Sequence, residues 1–357
     1  MVECKECHHR FREDTLKKNK CPDCGCELTE ARLFNLMFKT HMGPVEEGAT
    51  EIFLRPETAQ GIYVNYENVR VPARQKLPFG IGQVGKAFRN EITPGNFIFR
   101  TREFEQMEMQ FFVHPDEAND WFEYWKDYRL NWHTNVIGLT GEKLHLVEHP
   151  DNKLAHYAKR ALDIEFDFPF GQSELEGIHN RGNFDLTRHT EFSGKNLEYF
   201  DQKRDERYIP YIIETSGGID RTLLALLADA FEIEKDDAGK ERTVLKLHPR
   251  VAPVKAGIFP LVNRDGMDTI GEKIADDLRR KFNIFYDAGG SIGRRYRRGD
   301  EAGFPFAITI DGDTLNDNTV TIRERDTMEQ KRVPIASIPE MIETYTDVYQ
   351  RDKGFQS

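Results

Sequence analysis

The chain has 357 residues, enough for two or three domains with separate cores, and its 31% charged and 11% aromatic content excludes an extended disordered polymer. No run of about 18 apolar residues occurs, so no apolar membrane-spanning helix and no membrane partner is expected. The net charge of −11 counts against a uniformly basic nucleic-acid binder.

The first segment, Met1-Val2-Glu3-Cys4, lacks the basic and apolar regions of a signal peptide, so a cytoplasmic location is expected. All 5 cysteines fall in the first 26 residues. Cys4 and Cys7 form one CxxC pair, and Cys21 and Cys24 form a second after a 13-residue gap. Two such knuckles can set four thiolates at the corners of a tetrahedron, the geometry Zn²⁺ prefers. An intracellular chain disfavours the disulfide alternative. A structural zinc site on Cys4, Cys7, Cys21 and Cys24 is therefore expected, with Cys26, His8 and His9 as spare donors. Four sulfur ligands leave no position open for substrate, so such a metal holds a loop and performs no chemistry.

Beyond this module, taken as residues 1–29, Glu30 to Lys39 reads as a helix or strand. Ile52-Phe53-Leu54 reads as a short strand before the polar segment Arg55-Pro56-Glu57-Thr58-Ala59-Gln60-Gly61. Phe97 to His114 is strand-like, with apolar residues at both ends. Asp116 is expected to cap a helix whose Trp121, Trp125 and Tyr128 recur at helical spacing and belong to a core. Lys153 to Leu162 reads as a helix, Ile164 to Phe170 and Tyr208 to Ile213 as strands, and Thr222 to Phe231 as an apolar helix. These strands lack regular crossovers, which predicts an α+β domain over 30–235 with an antiparallel sheet. The charged, glycine-containing stretch from Glu232 to Glu241 reads as a linker, with bounds set at 236–245. From 246 to 357, strands at Ala256 to Val262 and Phe306 to Ile310 alternate with a helix from Asp268 to Phe282, which predicts an α/β domain. Within it, Gly293-Arg294-Arg295-Tyr296-Arg297-Arg298 is either a solvated loop or a phosphate-contacting patch.

The densest chemistry lies between Phe88 and Glu108. Phe88-Arg89-Asn90-Glu91 is separated by the turn Thr93-Pro94-Gly95-Asn96 from Phe99-Arg100-Thr101-Arg102-Glu103-Phe104-Glu105-Gln106-Met107-Glu108. Strand alternation puts Arg100, Arg102, Phe104, Gln106 and Glu108 on one face. Guanidiniums pair with phosphate oxygens in forked hydrogen bonds, and an aromatic plane stacks on a base, so this face suits a nucleotide.

That hairpin resembles motif 2 of class II aminoacyl-tRNA synthetases, and Ser216-Gly217-Gly218-Ile219-Asp220-Arg221 resembles their motif 3. With Arg55 to Gly61, Glu214-Thr215-Ser216 and Phe170-Gly171-Gln172-Ser173-Glu174-Leu175, the likeness narrows to glycyl-tRNA synthetases of the homodimeric type. It runs through essentially the whole chain. The resemblance implies that Arg89, Arg100 and Arg221 are catalytic, neutralising charge on ATP. It implies ATP contacts from Arg89, Asn90, Glu91, Phe99, Arg100, Thr101, Arg102, Glu103, Phe104, Glu174, Leu175, Gly218, Ile219, Asp220 and Arg221. In that assignment Glu91 reads the adenine amino group, Phe104 and Arg221 sandwich the ring, and Arg100 engages the γ-phosphate. Glu174 and Leu175 sit where the family places an ATP and Mg²⁺ contact. A glycine pocket is implied at Glu57, Phe104, Glu105, Gln106, Met107, Glu108, Glu214, Thr215, Ser216, Gly217 and Gly218. Glycine has no side chain to grip, so selectivity must come from leaving no room for one.

The segment from Leu247-His248-Pro249-Arg250-Val251-Ala252-Pro253 onward resembles the anticodon-binding domain of the same group, which implies tRNA(Gly) as partner. The family's polypeptide begins before the position matching Met1, in a region carrying motif 1 and much of the dimer interface. That region is expected to be absent here, while a homodimer is expected from the family. Two rivals are a sister ligase for proline or threonine and a non-catalytic synthetase-like tRNA-binding or polymerase accessory protein. Retention of Arg89, Arg100 and Arg221 favours the ligase over the latter. A zinc-ribbon nucleic-acid module accounts for only the cysteine segment.

Overall fold

The computed structural model describes residues 1–357 except 12, 14, 15, 17, 46, 47, 236–238, 352, 356 and 357. Four positions of the cysteine module, the first three of the expected linker and three near the end of the C-terminal domain thus lie outside the described residues. The chain divides into two compact units, residues 1–130 with 142–225 and residues 131–141 with 226–357.

The first unit is built on a six-stranded antiparallel sheet. Its strand order is Phe79–Phe88, Glu103–Val113, Tyr211–Gly218, Gly171–Gly182, Arg160–Phe168, Leu144–Glu148. The antiparallel sheet expected from the sequence is present. Alternation gives the central strands two different faces. On one, Val113, Ile213, Ile178, Leu162 and Ile164 pack with Phe122 of the helix Ala118–Asn131. On the other, Phe79, Phe112 and Ile212 pack with Ile62 and Tyr63 of the helix Ala59–Val64 and with Leu186 of the helix Phe184–Ser193. Farther along this second face the same parity continues as Gln110, Glu108 and Gln106 on one strand and Glu214 on its neighbour, all buried. Burying polar groups is unfavourable unless they are hydrogen-bonded, so this change from apolar to polar marks the functional end of the sheet.

Several local expectations are corrected. Lys153 to Leu162 is not a helix: a short turn at Asp151–Lys153 precedes a strand that already starts at Arg160. Alternating burial of Leu162, Ile164, Phe166 and Phe168 explains the earlier start. The stretch Glu30 to Lys39 forms no helix; its backbone is spent on neighbouring chain, with Arg32 N donating to Met1 O and Asn90 N to Leu36 O. His114, not Asp116, caps the turn before the helix Ala118–Asn131, its Nδ1 accepting from Asp116 N at 3.1 Å. In that helix Trp121 and Trp125 pack on the core, whereas Tyr128 is exposed. The strand predicted from Phe97 begins only at Glu103, because Asn96 and Phe97 adopt left-handed φ of 54° and 55° in a tight loop closed between Gly95 and Arg100.

The second unit carries a five-stranded mixed sheet, in the order Ile284–Tyr286, Ala256–Pro260, Phe306–Ile310, Thr319–Glu324, Gln330–Pro334. The first three strands are parallel and the last two antiparallel. Helices Met267–Arg279 and Ile338–Val348 bury Ile274, Leu278, Ile342 and Tyr345 against Ile258, Phe306, Ile308 and Ile322. The α/β organisation expected here is observed. Where a linker was expected, Phe231–Lys235 and Glu241–Leu245 pair as an antiparallel ribbon. Buried Val244 and the bond from Arg242 Nε to Asp300 Oδ2 at 3.0 Å fix that ribbon to its own unit. The arginine-rich run is likewise not a loop but part of the helix Ile292–Glu301. Helical periodicity turns Arg295 inward, where its Nη1 donates to Pro260 O at 2.6 Å and Asp287 O at 3.0 Å, and leaves Arg294 and Arg298 exposed. Among the described residues no helix is long and apolar enough to cross a membrane.

Candidate active site

A cleft of about 150 Å³ opens at the polar end of the first unit's sheet. Arg89, Arg100 and Arg221 all line it, as do Glu91, Phe99, Thr101, Phe104, Glu174, Gly218 and Asp220. From the glycine-pocket set it takes in Glu57, Gln106, Glu108, Glu214 and Ser216. The remaining expected contacts do not line the cleft. Glu103, Glu105 and Met107 have the opposite strand parity, and Glu105 contributes its backbone N–H, which donates to Asp220 Oδ2 at 3.1 Å. Arg102 lies in the preceding turn and donates to Glu91 O, and Asn90 donates to Asn35 O. Leu175, Thr215, Gly217 and Ile219 also fall outside the lining, with Leu175 and Thr215 buried.

The arginines are placed by backbone. Arg89 Nε donates to Pro56 O at 3.0 Å, and its guanidinium lies 5.2 Å from the Phe104 ring centroid. Arg221 sits on the helix Ile219–Ala230; its Nε donates to Phe99 O at 3.2 Å, its Nη1 lies 3.2 Å from Glu174 Oε2, and it covers the Phe99 ring at 4.3 Å. The guanidiniums of Arg89 and Arg221 thus cover two different rings, Phe104 and Phe99, and both Phe104 and Arg221 face the cleft. Phe99 is itself braced edge-on by Phe168 and Phe170. Arg100 stands 3.7 Å from Glu91 and is the most open of the three. Arg89, held through Nε by one neutral carbonyl, keeps its other donors for an anion, whereas Arg221 Nη1 also donates to Glu174 O at 3.1 Å and leaves its Nη2 for one.

Deeper in the cleft the carboxylates are held more tightly. The segment after Arg55 is pinned to the strand edge by Phe88 N donating to Arg55 O and Arg55 Nε to Lys86 O. This delivers Thr58, whose N donates to Glu108 Oε2 at 2.8 Å and whose hydroxyl bonds the same oxygen, while Ser216 Oγ donates to Glu108 Oε1 at 2.8 Å. Burial and the nearby Glu214 charge nevertheless push the Glu108 carboxyl above its ordinary range. Glu214 is the reverse case. Burial raises its pKa, but His179 and Arg181 overcome that and hold it down at about 2. Buried Gln106 leaves its Oε1 without a hydrogen-bond partner, an acceptor available to a bound ligand.

The sequence reading missed His179, Arg181, Gly177 and Tyr157, all of which line the cleft. A bulge explains part of this: Ile164 pairs with Glu176 but Glu165 with Glu174, so Leu175 is the extra residue. Parity flips there, bringing Glu174 to the face that carries Gly177, His179 and Arg181. Gly177 must lack a Cβ because one would sit 2.6 Å from His179 Cε1. A signal existed in the His-Asn-Arg run after apolar Leu175 and Ile178, where charge continues an otherwise buried strand.

Separately, the Cys4, Cys7, Cys21 and Cys24 sulfurs all lie within 4.8 Å of one another. Cys4 Sγ is 3.4 Å from Cys24 Sγ, and Cys7 Sγ is 3.6 Å from Cys21 Sγ. Zn–S bonds of about 2.3 Å set tetrahedral S···S edges near 3.8 Å, so this donor set fits Zn²⁺. Cys26 lies outside the group and bonds Cys24 O, and His9 pairs with Asp23.

An antiparallel sheet with three convergent arginines and a motif-3 turn defines a class II tRNA synthetase core. Residues 38–230 match the family described as tRNA synthetase class II core domain (G, H, P, S and T), and residues 251–345 match the anticodon binding domain family. The chain is 53% identical to the glycine–tRNA ligase of Treponema denticola, covering 98% of this chain and 80% of the relative. It is 52% identical to the Borreliella burgdorferi enzyme of the same name, over 99% and 80%, and 49% identical to that of Thermobifida fusca, over 96% and 79%. The chain belongs to the glycine–tRNA ligase family.

Proposed function

We propose that this chain activates glycine with ATP and transfers it to the 3′ end of tRNA(Gly). The observation that carries this reading is the convergence of Arg89, Arg100 and Arg221 with Glu57, Glu108 and Glu214 in one cleft. A glycine carboxylate oxygen attacks the α-phosphorus, an O–P bond forms, and the bond to the β-phosphate bridge breaks, releasing pyrophosphate. A terminal ribose hydroxyl of tRNA then attacks the glycyl carbonyl and AMP leaves. Neither step needs a side-chain nucleophile. Arg89 holds the α-phosphate and the glycine carboxylate, Arg100 the γ-phosphate of a bent ATP, and Arg221 with Phe104 the adenine, whose amino group Glu91 reads. This is catalysis by positioning and charge neutralisation.

The glycine ammonium is taken by the acceptors Glu57, Glu108 and Gln106 Oε1, with Glu214 and Ser216 closing the pocket. Glu174 is assigned to Mg²⁺, which when bound would neutralise triphosphate charge. Cys4, Cys7, Cys21 and Cys24 are assigned to a structural Zn²⁺. The C-terminal unit is assigned to the anticodon arm of tRNA. The proposed assembly is a homodimer and the proposed location the cytoplasm. Glycine-dependent exchange of labelled pyrophosphate into ATP tests the reading, with alanine and proline compared in parallel. Exchange with glycine alone is expected; exchange driven equally by proline would assign the site to a sister ligase, and none at all would favour a non-catalytic binder.

A further inference from the structure

Glu214 is bound on both oxygens, by buried Gln110 and Arg181 and by half-buried His179. Gln110 Nε2 donates to Oε1 at 2.7 Å, His179 Nδ1 lies 3.0 Å from Oε2, and Arg181 Nη1 reaches both oxygens at 3.1 Å. Each main donor is fixed in turn. Arg181 forms a two-pronged pair with Asp185, Nε to Oδ2 at 2.8 Å and Nη2 to Oδ1 at 3.0 Å, and its guanidinium lies 4.0 Å from the Tyr157 ring centroid. Gln110 is oriented by Tyr63, whose hydroxyl donates to Gln110 Oε1 at 2.8 Å, so the amide nitrogen must face Glu214. The same Tyr63 ring lies 5.6 Å from the Arg181 guanidinium carbon, which closes the circuit. Arg181, Asp185, Gln110 and Glu214 are all buried.

This wiring exceeds what holding one charge requires. A single guanidinium fork would keep Glu214 ionised; the amide, imidazole and tyrosine add fixation in direction. In a cleft that must accept a ligand with no side chain, a carboxylate that cannot turn is a wall. A hydrophobic pocket separates amino acids differing by one methylene by only about 10- to 200-fold. A rigid polar wall does better, because an intruding methyl must displace a carboxylate whose bonds have no replacement.

We infer that Arg181 and Gln110, the latter set by Tyr63, are positioning residues that make Glu214 an immovable barrier to any amino acid larger than glycine. The inference rests on the ligase reading above, in which Glu214 borders the amino-acid pocket. It assigns selectivity to the frame that holds Glu214, formed by buried Gln110 and Tyr63 and by Arg181 at the cleft wall, as well as to the groups that touch glycine.

The test is pyrophosphate exchange by the full chain with glycine and with L-alanine, for the wild type, Arg181→Lys and Tyr63→Phe. Arg181→Lys keeps the charge and loses the fork; Tyr63→Phe keeps the ring and loses the bond that orients Gln110. The alanine-to-glycine ratio of kcat/KM is expected to rise about 10-fold or more in Arg181→Lys and about 3-fold in Tyr63→Phe, with the KM for ATP within about twofold of wild type. Activity falling in parallel for both amino acids, with the ratio unchanged in a variant that melts like wild type, would overturn the inference. Should Arg181→Lys fail to fold, the ratio in Tyr63→Phe decides alone, and no change there overturns it. A wild type with no glycine-dependent exchange removes the ligase reading itself, a result distinct from the parallel loss.

Discussion

Both units bury networks of guanidinium and carboxylate, yet only one of them faces a cleft. In the C-terminal unit Asp300 accepts from Arg323 at 2.8 and 3.0 Å and from Arg242 at 3.0 Å. Beside it, Glu324 accepts from Tyr345 Oη at 2.6 Å and from the Asp326 and Thr327 N–H groups, so that network is closed by the unit's own residues. In the catalytic unit Glu214, Arg181 and Asp185 are bonded just as fully, but they stand at the wall of an open cleft beside Gln106 Oε1, which has no partner. Burial and pairing of charge alone therefore do not mark a site. What marks it is a paired network bordered by unsaturated donors and acceptors: three arginines with donors to spare and one orphaned carbonyl oxygen.

The comparison breaks most visibly at Arg89. Arg89→Ala is expected to lower glycine-dependent exchange by about 10³-fold while leaving the thermal midpoint near that of wild type, because its proposed role is at the transition state and its structural contacts are one bond to Pro56 O and the face of Phe104. Near-normal exchange would remove Arg89 from its assigned role. Asp300→Asn should show the opposite pattern. Leaving Arg242 and Arg323 buried without their shared anion should cost about 3 kcal/mol in denaturant unfolding, with exchange by the remaining folded protein unchanged. An unperturbed unfolding curve would show that the second network is not a stabilising element.

A smaller effect separates the two cleft carboxylates by pH. Glu214 is held at about 2, below its ordinary value, so its contribution to stability is present above pH 4.5 and is lost as pH falls toward 2. Glu108 is shifted upward, so its contribution is full below the ordinary carboxyl range and declines as pH rises through its raised value. Glu214→Gln should flatten the acid limb of the stability–pH curve, and Glu108→Gln the part above the ordinary range. Identical curves for both variants would contradict the opposite shifts. The smallest effect concerns the cysteine module. Metal analysis should find one zinc per chain, and Cys24→Ser should release it with loss of local structure around Cys4 and Cys21 while the main unfolding transition stays in place. Retention of zinc by that variant would exclude the four-sulfur site.

Much of the cleft was legible because strand alternation is a strict rule: once Phe104 faces inward, Gln106 and Glu108 follow, and Glu105 and Met107 cannot. The same rule failed across Leu175, where one extra residue inverts parity, and nothing in the local sequence fixes a bulge there. Arg181 and His179 escaped notice because a basic residue on a strand looks alike in sequence whether it meets solvent or a buried carboxylate, and only the apolar Leu175 and Ile178 before them hinted at the latter. The second unit's α/β character was readable from apolar runs such as Phe306 to Ile310. Its ribbon at Glu241–Leu245 was not, since charge suggested a linker and only the tertiary partner of Arg242 makes that charge buriable. Arg295 was misplaced for a related reason: a cation accepted by three backbone carbonyls in the interior leaves no mark distinguishing it from exposed Arg294.

In the proposed site three guanidiniums of one cleft clamp a single bent nucleotide. A crystal structure of the chain with glycine and a non-hydrolysable ATP analogue tests it most directly. The expected result places α-phosphate oxygens within hydrogen-bond distance of Arg89, γ-phosphate oxygens at Arg100, and the adenine against Arg221 with the glycine beside Glu108 and Glu214. A nucleotide bound elsewhere, or in this cleft without contact to these three side chains, would contradict the account.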